Sequence, residues 1–137
     1  MIPQNKAVLF TDGGSRGNPG PGAIGFVFYN QGKKVFSKGK KIGLSTNNIA
    51  EYTALIEGLR EVLKTGYTGD LLCLLDSELV VKQLTGLYKV KNQKLRPLFE
   101  KVLDLAKRFK KVSFQHIPRE QNAEADLLVN KALDNLL

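Results

Sequence analysis

The sequence predicts an α/β fold with a mixed sheet flanked by helices, and three observations carry that reading. Short apolar runs of strand length are interleaved with stretches whose apolar residues recur at helical spacing, two of those runs lead into an aspartate, and a Gly/Pro-rich stretch separates the first run from the second. With 137 residues and 42% apolar side chains, the chain has material for one core, so a single domain over residues 1–137 is expected.

AVLFT before Asp12 is short, apolar and bounded by glycine and proline, which predicts a strand ending at the carboxylate. AIGFVFYN and VFSKGKKI predict two more strands joined by a turn at Gln31 and Gly32, with lysines suited to an exposed sheet edge. From Asn48 the period changes. Ile49, Tyr52, Leu55, Leu59, Val62 and Leu63 recur at helical spacing, Asn47 or Asn48 is a natural cap, and Gly66 is placed to end the helix. DLLCLLD predicts a central strand covered on both faces and ending at Asp76. SELVVKQLTG predicts a short helix, and Leu95, Leu98, Phe99, Val102, Leu103, Ala106 and Phe109 a longer one. VSFQHI is the last strand. After a PREQN turn, Ala125, Leu128, Val129, Ala132 and Leu136 mark the apolar stripe of a final helix. The order β-β-β-α-β-α-α-β-α puts Asp12 and Asp76 at strand ends, with Glu51 and Asp126 each in the first turn of a helix. Carboxylates so placed can converge on one edge of a sheet.

Charge is segregated along the chain. Residues 82–111 carry ten Lys or Arg against two acids, residues 13–50 six bases and no acid, and residues 51–81 six acids against two bases. Basic flanks around an acidic centre suit a polyanion held through bridging cations. The plain alternative is solvated helix faces and a charged hairpin. No apolar run approaches the roughly 20 residues of a membrane span, and MIPQNKAV lacks the layout of a secretory signal, so a cytoplasmic protein without a membrane partner is expected. Cys73, the single cysteine, lies inside LLCLL and reads as a core residue.

TDGGSRGNPGPG is the most unusual segment, because its glycines let the backbone approach another backbone or a phosphate while Asp12 stands at its mouth. Gly20 to Gly25 also match a dinucleotide GxGxxG, but they run into a strand-like alternation where that motif requires a helix. TNNIAEYTAL, LLDSELVV and HIPREQNAEAD each have an ordinary reading in helix capping or surface polarity when taken alone.

Together, these four segments resemble the four motif regions of the type 1 ribonuclease H family, in order, over nearly the whole chain. The resemblance implies the ribonuclease H-like fold, a five-stranded mixed sheet with the acids at one edge. It implies catalytic, metal-holding carboxylates at Asp12, Glu51, Asp76 and Asp126 and substrate contacts at Asn18, Thr46, Asn47, Asn48 and Ser77. His116 falls at the spacing of the family's mobile histidine, an accessory catalytic role that is shared with Arg119, a further nucleic-acid contact, or lost. The implied activity is endonucleolytic hydrolysis of the RNA strand of RNA/DNA hybrids, leaving 3′-hydroxyl and 5′-phosphate ends. Four converging carboxylates resist ionising unless cations neutralise them. Two Mg2+ ions about 4 Å apart and bridged by Asp12, with Mn2+ as substitute, are the implied cofactors.

Three departures from the best-known bacterial members matter. Only LYKVKNQ stands where they carry a basic protrusion, and with no separate hybrid-binding domain this looks like a compact branch, expected to be monomeric. Glu78 occupies a position where glutamine is often found, and HIPREQN differs from the usual histidine loop. Double-stranded RNA as a further substrate is left open. The competing readings are a non-catalytic nucleic-acid-binding module, against which all four acids argue, and a DNA-cutting member of the wider superfamily, against which the TDGGSRGNPGPG and TNN segments argue.

Overall fold

The computed structural model describes residues 4–137. Its elements run β1 (Ala7–Ser15), β2 (Gly20–Asn30), β3 (Lys33–Ser45), α1 (Asn47–Lys64), β4 (Asp70–Leu75), α2 (Glu78–Leu84), α3 (Arg96–Ala106), β5 (Lys111–His116), a 3-10 turn (Arg119–Asn122) and α4 (Ala123–Leu133). The strands form one mixed sheet ordered β3-β2-β1-β4-β5, antiparallel between β1, β2 and β3 and parallel between β1, β4 and β5. Gln31 and Gly32 make the two-residue β2–β3 turn with φ of 52° and 79°, the positive values that match the twist of a hairpin.

Strand alternation sorts side chains between two helical layers. Leu9 of β1, Ile24, Phe26 and Phe28 of β2, and Leu71, Cys73 and Leu75 of β4 join Tyr52, Leu55, Leu59, Val62, Val102 and Leu105 in the main core beneath α1 and α3. On the opposite face Ala23 packs with Val129 and Ala132 of α4, while Val8, Leu74 and Ile117 form a smaller cluster. β3 is an outer strand. Its Lys38 and Lys40 pair with Glu61 and Glu57 of α1, and its Lys34 pairs with Glu124 of α4. Lysines along an edge also discourage the addition of a foreign strand.

Four local expectations need correction. β1 does not end at Asp12, because Gly13, Gly14 and Ser15 stay paired with Ile24, Ala23 and Gly22 of β2 while only the parallel pairing to β4 stops, at Thr11 opposite Leu75. Neither Asn47 nor Asn48 caps α1. Thr46 does, its side-chain oxygen accepting from the Ile49 N–H. Glu51 consequently lies beyond the first turn of α1, whereas Asp126 is in the first turn of α4 as expected. Leu136 is outside α4, which ends at Leu133, and is 68% exposed. Residues 85–95 connect α2 to α3 without a further helix or strand, in keeping with the missing protrusion. Among the described residues no helix is long and apolar enough to cross a membrane.

Candidate active site

The last rung of the parallel β1–β4 ladder is Thr11 opposite Leu75. Asp12 and Asp76 are the next residue on each chain, so their proximity follows from register. Ser77 supplies the N-cap of α2, its hydroxyl accepting from the Val80 N–H at 3.3 Å, which leaves the Asp76 carboxylate uncommitted to capping.

Glu51 arrives from α1, which crosses β1 at Gly13. A Cβ at that glycine would stand 2.2 Å from the Ala50 carbonyl oxygen, so any side chain would push the helix off the strand. The close approach also lets the Gly13 N–H donate to Glu51 Oε1 at 2.8 Å. Carboxylate oxygens of Asp12, Glu51 and Asp76 all lie within 4.8 Å of one another. Asp126 comes from the opposite layer, on α4, and lines the same cleft. That helix sits close to β2 because Gly25 has no side chain, a Cβ there standing 2.5 Å from the Ala125 carbonyl oxygen. The cleft, about 460 Å³, is bordered by the four acids together with Arg16, Asn47, Arg119 and Asn130.

Crowding of the acids opposes their ionisation. Burial first, and then the charges of Asp76 and Asp126, push Asp12 up to about 8 from its ordinary 3.8. Burial, followed by the charges of Asp12 and Asp76, holds Glu51 well above its usual range. Asp76 is raised by burial, an effect opposed by its own backbone N–H and by the Arg119 charge. A set of hard carboxylate oxygens that cannot all ionise unaided is a donor set for divalent oxygen-seeking cations, and among the described residues no thiolate or imidazole borders the cleft. Cys73 is fully buried in β4.

The polar residues are arranged as struts between loops. Asn18 Oδ1 accepts from the Asn47 N–H at 2.9 Å, and Asn47 Oδ1 accepts from the Ser15 N–H at 3.0 Å, so the glycine-rich loop is tied to the start of α1. Thr46 caps α1, Asn48 is half-buried in its first turn, and Ser77 caps α2. Arg119 donates to Asp126 at 3.3 Å and is 75% exposed. Thus the four acids, Asn47 and Arg119 share the cleft, while Asn18, Thr46, Asn48, Ser77 and His116 lie outside its lining. His116 is exposed at the end of β5, opposite Leu75. Glu78 points away to an ion pair with Lys82 at 3.6 Å. The sequence offers no signal for Arg16, which bridges the glycine-rich loop to Asp134 at 2.5 Å, because the partner is 118 residues away.

Known proteins resemble this chain in sequence and in fold. The family profile described as reverse transcriptase-like matches residues 10–132. The bifunctional protein Rv2228c of Mycobacterium tuberculosis is 43% identical over 131 residues, covering 94% of this chain and 36% of that protein, so the chain spans about a third of the length of this relative. The crystal structure of RNase H1 from Halobacterium salinarum NRC-1 superposes with a TM-score of 0.92 at 41% identity, covering 96% of this chain and 99% of that one. LC11-RNase H1, solved in complex with an RNA/DNA hybrid, gives a TM-score of 0.91 at 42% identity, covering 95% and 98% of the two chains. With identity of that order sustained over 98–99% of two RNase H1 chains and the acids grouped at the end of one parallel ladder, the protein belongs to the ribonuclease H family, type 1 branch.

Proposed function

We propose that this protein is an endonuclease that hydrolyses the RNA strand of RNA/DNA hybrids and leaves 3′-hydroxyl and 5′-phosphate ends. The observation that carries the reading is the grouping of Asp12, Glu51 and Asp76 within 4.8 Å, with Asp126 lining the same cleft. These four residues would hold Mg2+, with Mn2+ as substitute. Two such ions supply Lewis-acid stabilisation and an activated water in phosphodiester hydrolysis. The chain's own contribution is rigidity. Asp12 and Asp76 are fixed by the β1–β4 register, Glu51 by the Gly13 N–H, and Asp126 by α4. Arg119, exposed at the rim, is suited to a phosphate contact, and His116 stands exposed at the end of β5, outside the cleft lining.

Recognition of RNA would rest on the strand of polar groups from Asn18 through Thr46, Asn47 and Asn48 to Ser77. A sugar 2′-hydroxyl is the group that separates RNA from DNA at a given site. Backbone amides of the glycine-rich loop can reach phosphates without reading bases, so base preference should be slight. The protein is proposed to act as a monomeric domain in the cytoplasm, with double-stranded RNA as a secondary substrate to be assayed.

The test uses a strand with a short ribonucleotide block inside DNA, annealed to complementary DNA and incubated with Mg2+ or Mn2+. Cuts confined to the ribonucleotide block, with 5′-phosphate ends, are expected. Efficient cutting at all-deoxy positions would move the protein to the DNA-processing branch of the superfamily.

A further inference from the structure

Asn122 lies immediately before α4, where asparagine ordinarily caps a helix, yet its side chain makes no capping hydrogen bond. It is 1% exposed, and its Nδ2 donates to the backbone carbonyl oxygen of Thr11 at 2.8 Å, across 111 residues of sequence. Thr11 is the final rung between β1 and β4, and Asp12 follows it. On the other side of the bond, Asp126 follows Asn122 by four residues, one turn of helix. A single amide therefore ties the strand carrying one carboxylate to the helix start carrying another. Asp12 and Asp126 line the same cleft.

The cost of this arrangement bears on its purpose. Among the described residues no donor reaches Asn122 Oδ1, although the atom is buried. An apolar residue of similar shape would avoid that unsatisfied oxygen but would also take the Asn122 donor away from the Thr11 carbonyl, so what the amide contributes here is its bond to Thr11.

We infer that Asn122 is a positioning residue for the metal-holding carboxylates, fixing the spacing of Asp126 from Asp12 through the Thr11 carbonyl. The inference rests on the proposed reading of the acids as cation ligands. Partners that orient metal ligands typically change metal affinity or activity by about 10–100-fold when removed.

Asn122→Leu keeps the branched shape and removes the donor; Asn122→Ser, with a hydroxyl too short to reach the carbonyl, serves if the leucine variant does not fold. Leu105→Ala, in the core below α3, is the control for stability loss alone. Mn2+ affinity is measured by titration calorimetry on the free protein, alongside kcat and KM for hybrid at saturating and limiting Mn2+. The expected result is a Kd for Mn2+ raised about tenfold or more, a matching rise in half-saturating Mn2+, and an unchanged KM for hybrid at saturating metal. Leu105→Ala should leave Mn2+ affinity as in the parent. An unchanged Mn2+ Kd in the Asn122 variants, or a loss equal to that of Leu105→Ala, overturns the inference. Failure of the underlying reading is separately visible, because Asp76→Asn would then keep both Mn2+ binding and hydrolysis.

Discussion

Replacing Asp12 by asparagine should stabilise the metal-free protein at neutral and alkaline pH while removing its activity. Asp12 titrates at about 8 in the fold against 3.8 ordinarily, raised first by burial and then by Asp76 and Asp126. Since the folded-state value is the higher one, the folded protein retains a proton that the unfolded chain has released, and stability falls as pH rises from about 4 to about 8. Below pH 4 the side chain is protonated in both states and the penalty vanishes. A shift of about four units at 1.36 kcal/mol each sets an upper bound of roughly 6 kcal/mol. Asp12, Glu51 and Asp76 titrate as a group, so removing one charge should recover about half or less, on the order of 2–3 kcal/mol. For a domain of this size that is about 10 °C in Tm. The assay is thermal and urea denaturation followed by circular dichroism in chelator, from pH 4 to 9, for the parent and Asp12→Asn. The two should coincide near pH 4 and diverge progressively up to pH 8, and added Mg2+ should narrow the gap by stabilising the parent selectively. Parallel stability curves across the whole range would refute the idea that crowded carboxylates strain the metal-free fold.

Asp76→Asn should lose nearly all hydrolysis with Mg2+ while keeping its far-UV spectrum, because its carboxylate sits at the cleft and not in the core; near-normal turnover removes Asp76 from the site. Gly13→Ala should cost about 3 kcal/mol or more by overpacking, since the new methyl group would meet backbone atoms of Ala50 that no rotamer change can move. Its urea midpoint should fall and its activity should drop together, and a variant as stable as the parent would mean that α1 can slide without penalty. Lys89, Lys91 and Lys94 are all exposed in the α2–α3 connection. Replacing the three with alanine should weaken hybrid binding and make the slope of log K against log salt shallower by roughly 0.9 for each phosphate that is no longer neutralised. An unchanged slope assigns that stretch to a merely solvated face.

Element order and the identity of the acids are legible along the chain because they rest on local quantities. Apolar period distinguishes strand from helix, and LLCLL between polar ends already describes a central strand, as β4 proves to be, although Leu72 on its second face is only half-buried. Four motif segments read in series bring Asp12, Glu51, Asp76 and Asp126 into view, although each segment alone has an ordinary explanation. Local readings falter where a residue serves a distant partner. TDGGS reads as a loop from its glycines, yet it continues β1, because Gly13 is there to admit Ala50 and not to make a turn. The two asparagines before α1 read as caps, but Thr46 caps the helix and Asn47 instead accepts from Ser15. Asn122 likewise spends its amide on a carbonyl 111 residues away. The raised titration of Asp12 and Glu51 belongs to the same class, since each depends on burial and on charges delivered by two other segments. Residue type and spacing specify which groups are available; register, the glycine-enabled approach of α1 and α4, and exclusion of water decide which of them meet and in what state of charge.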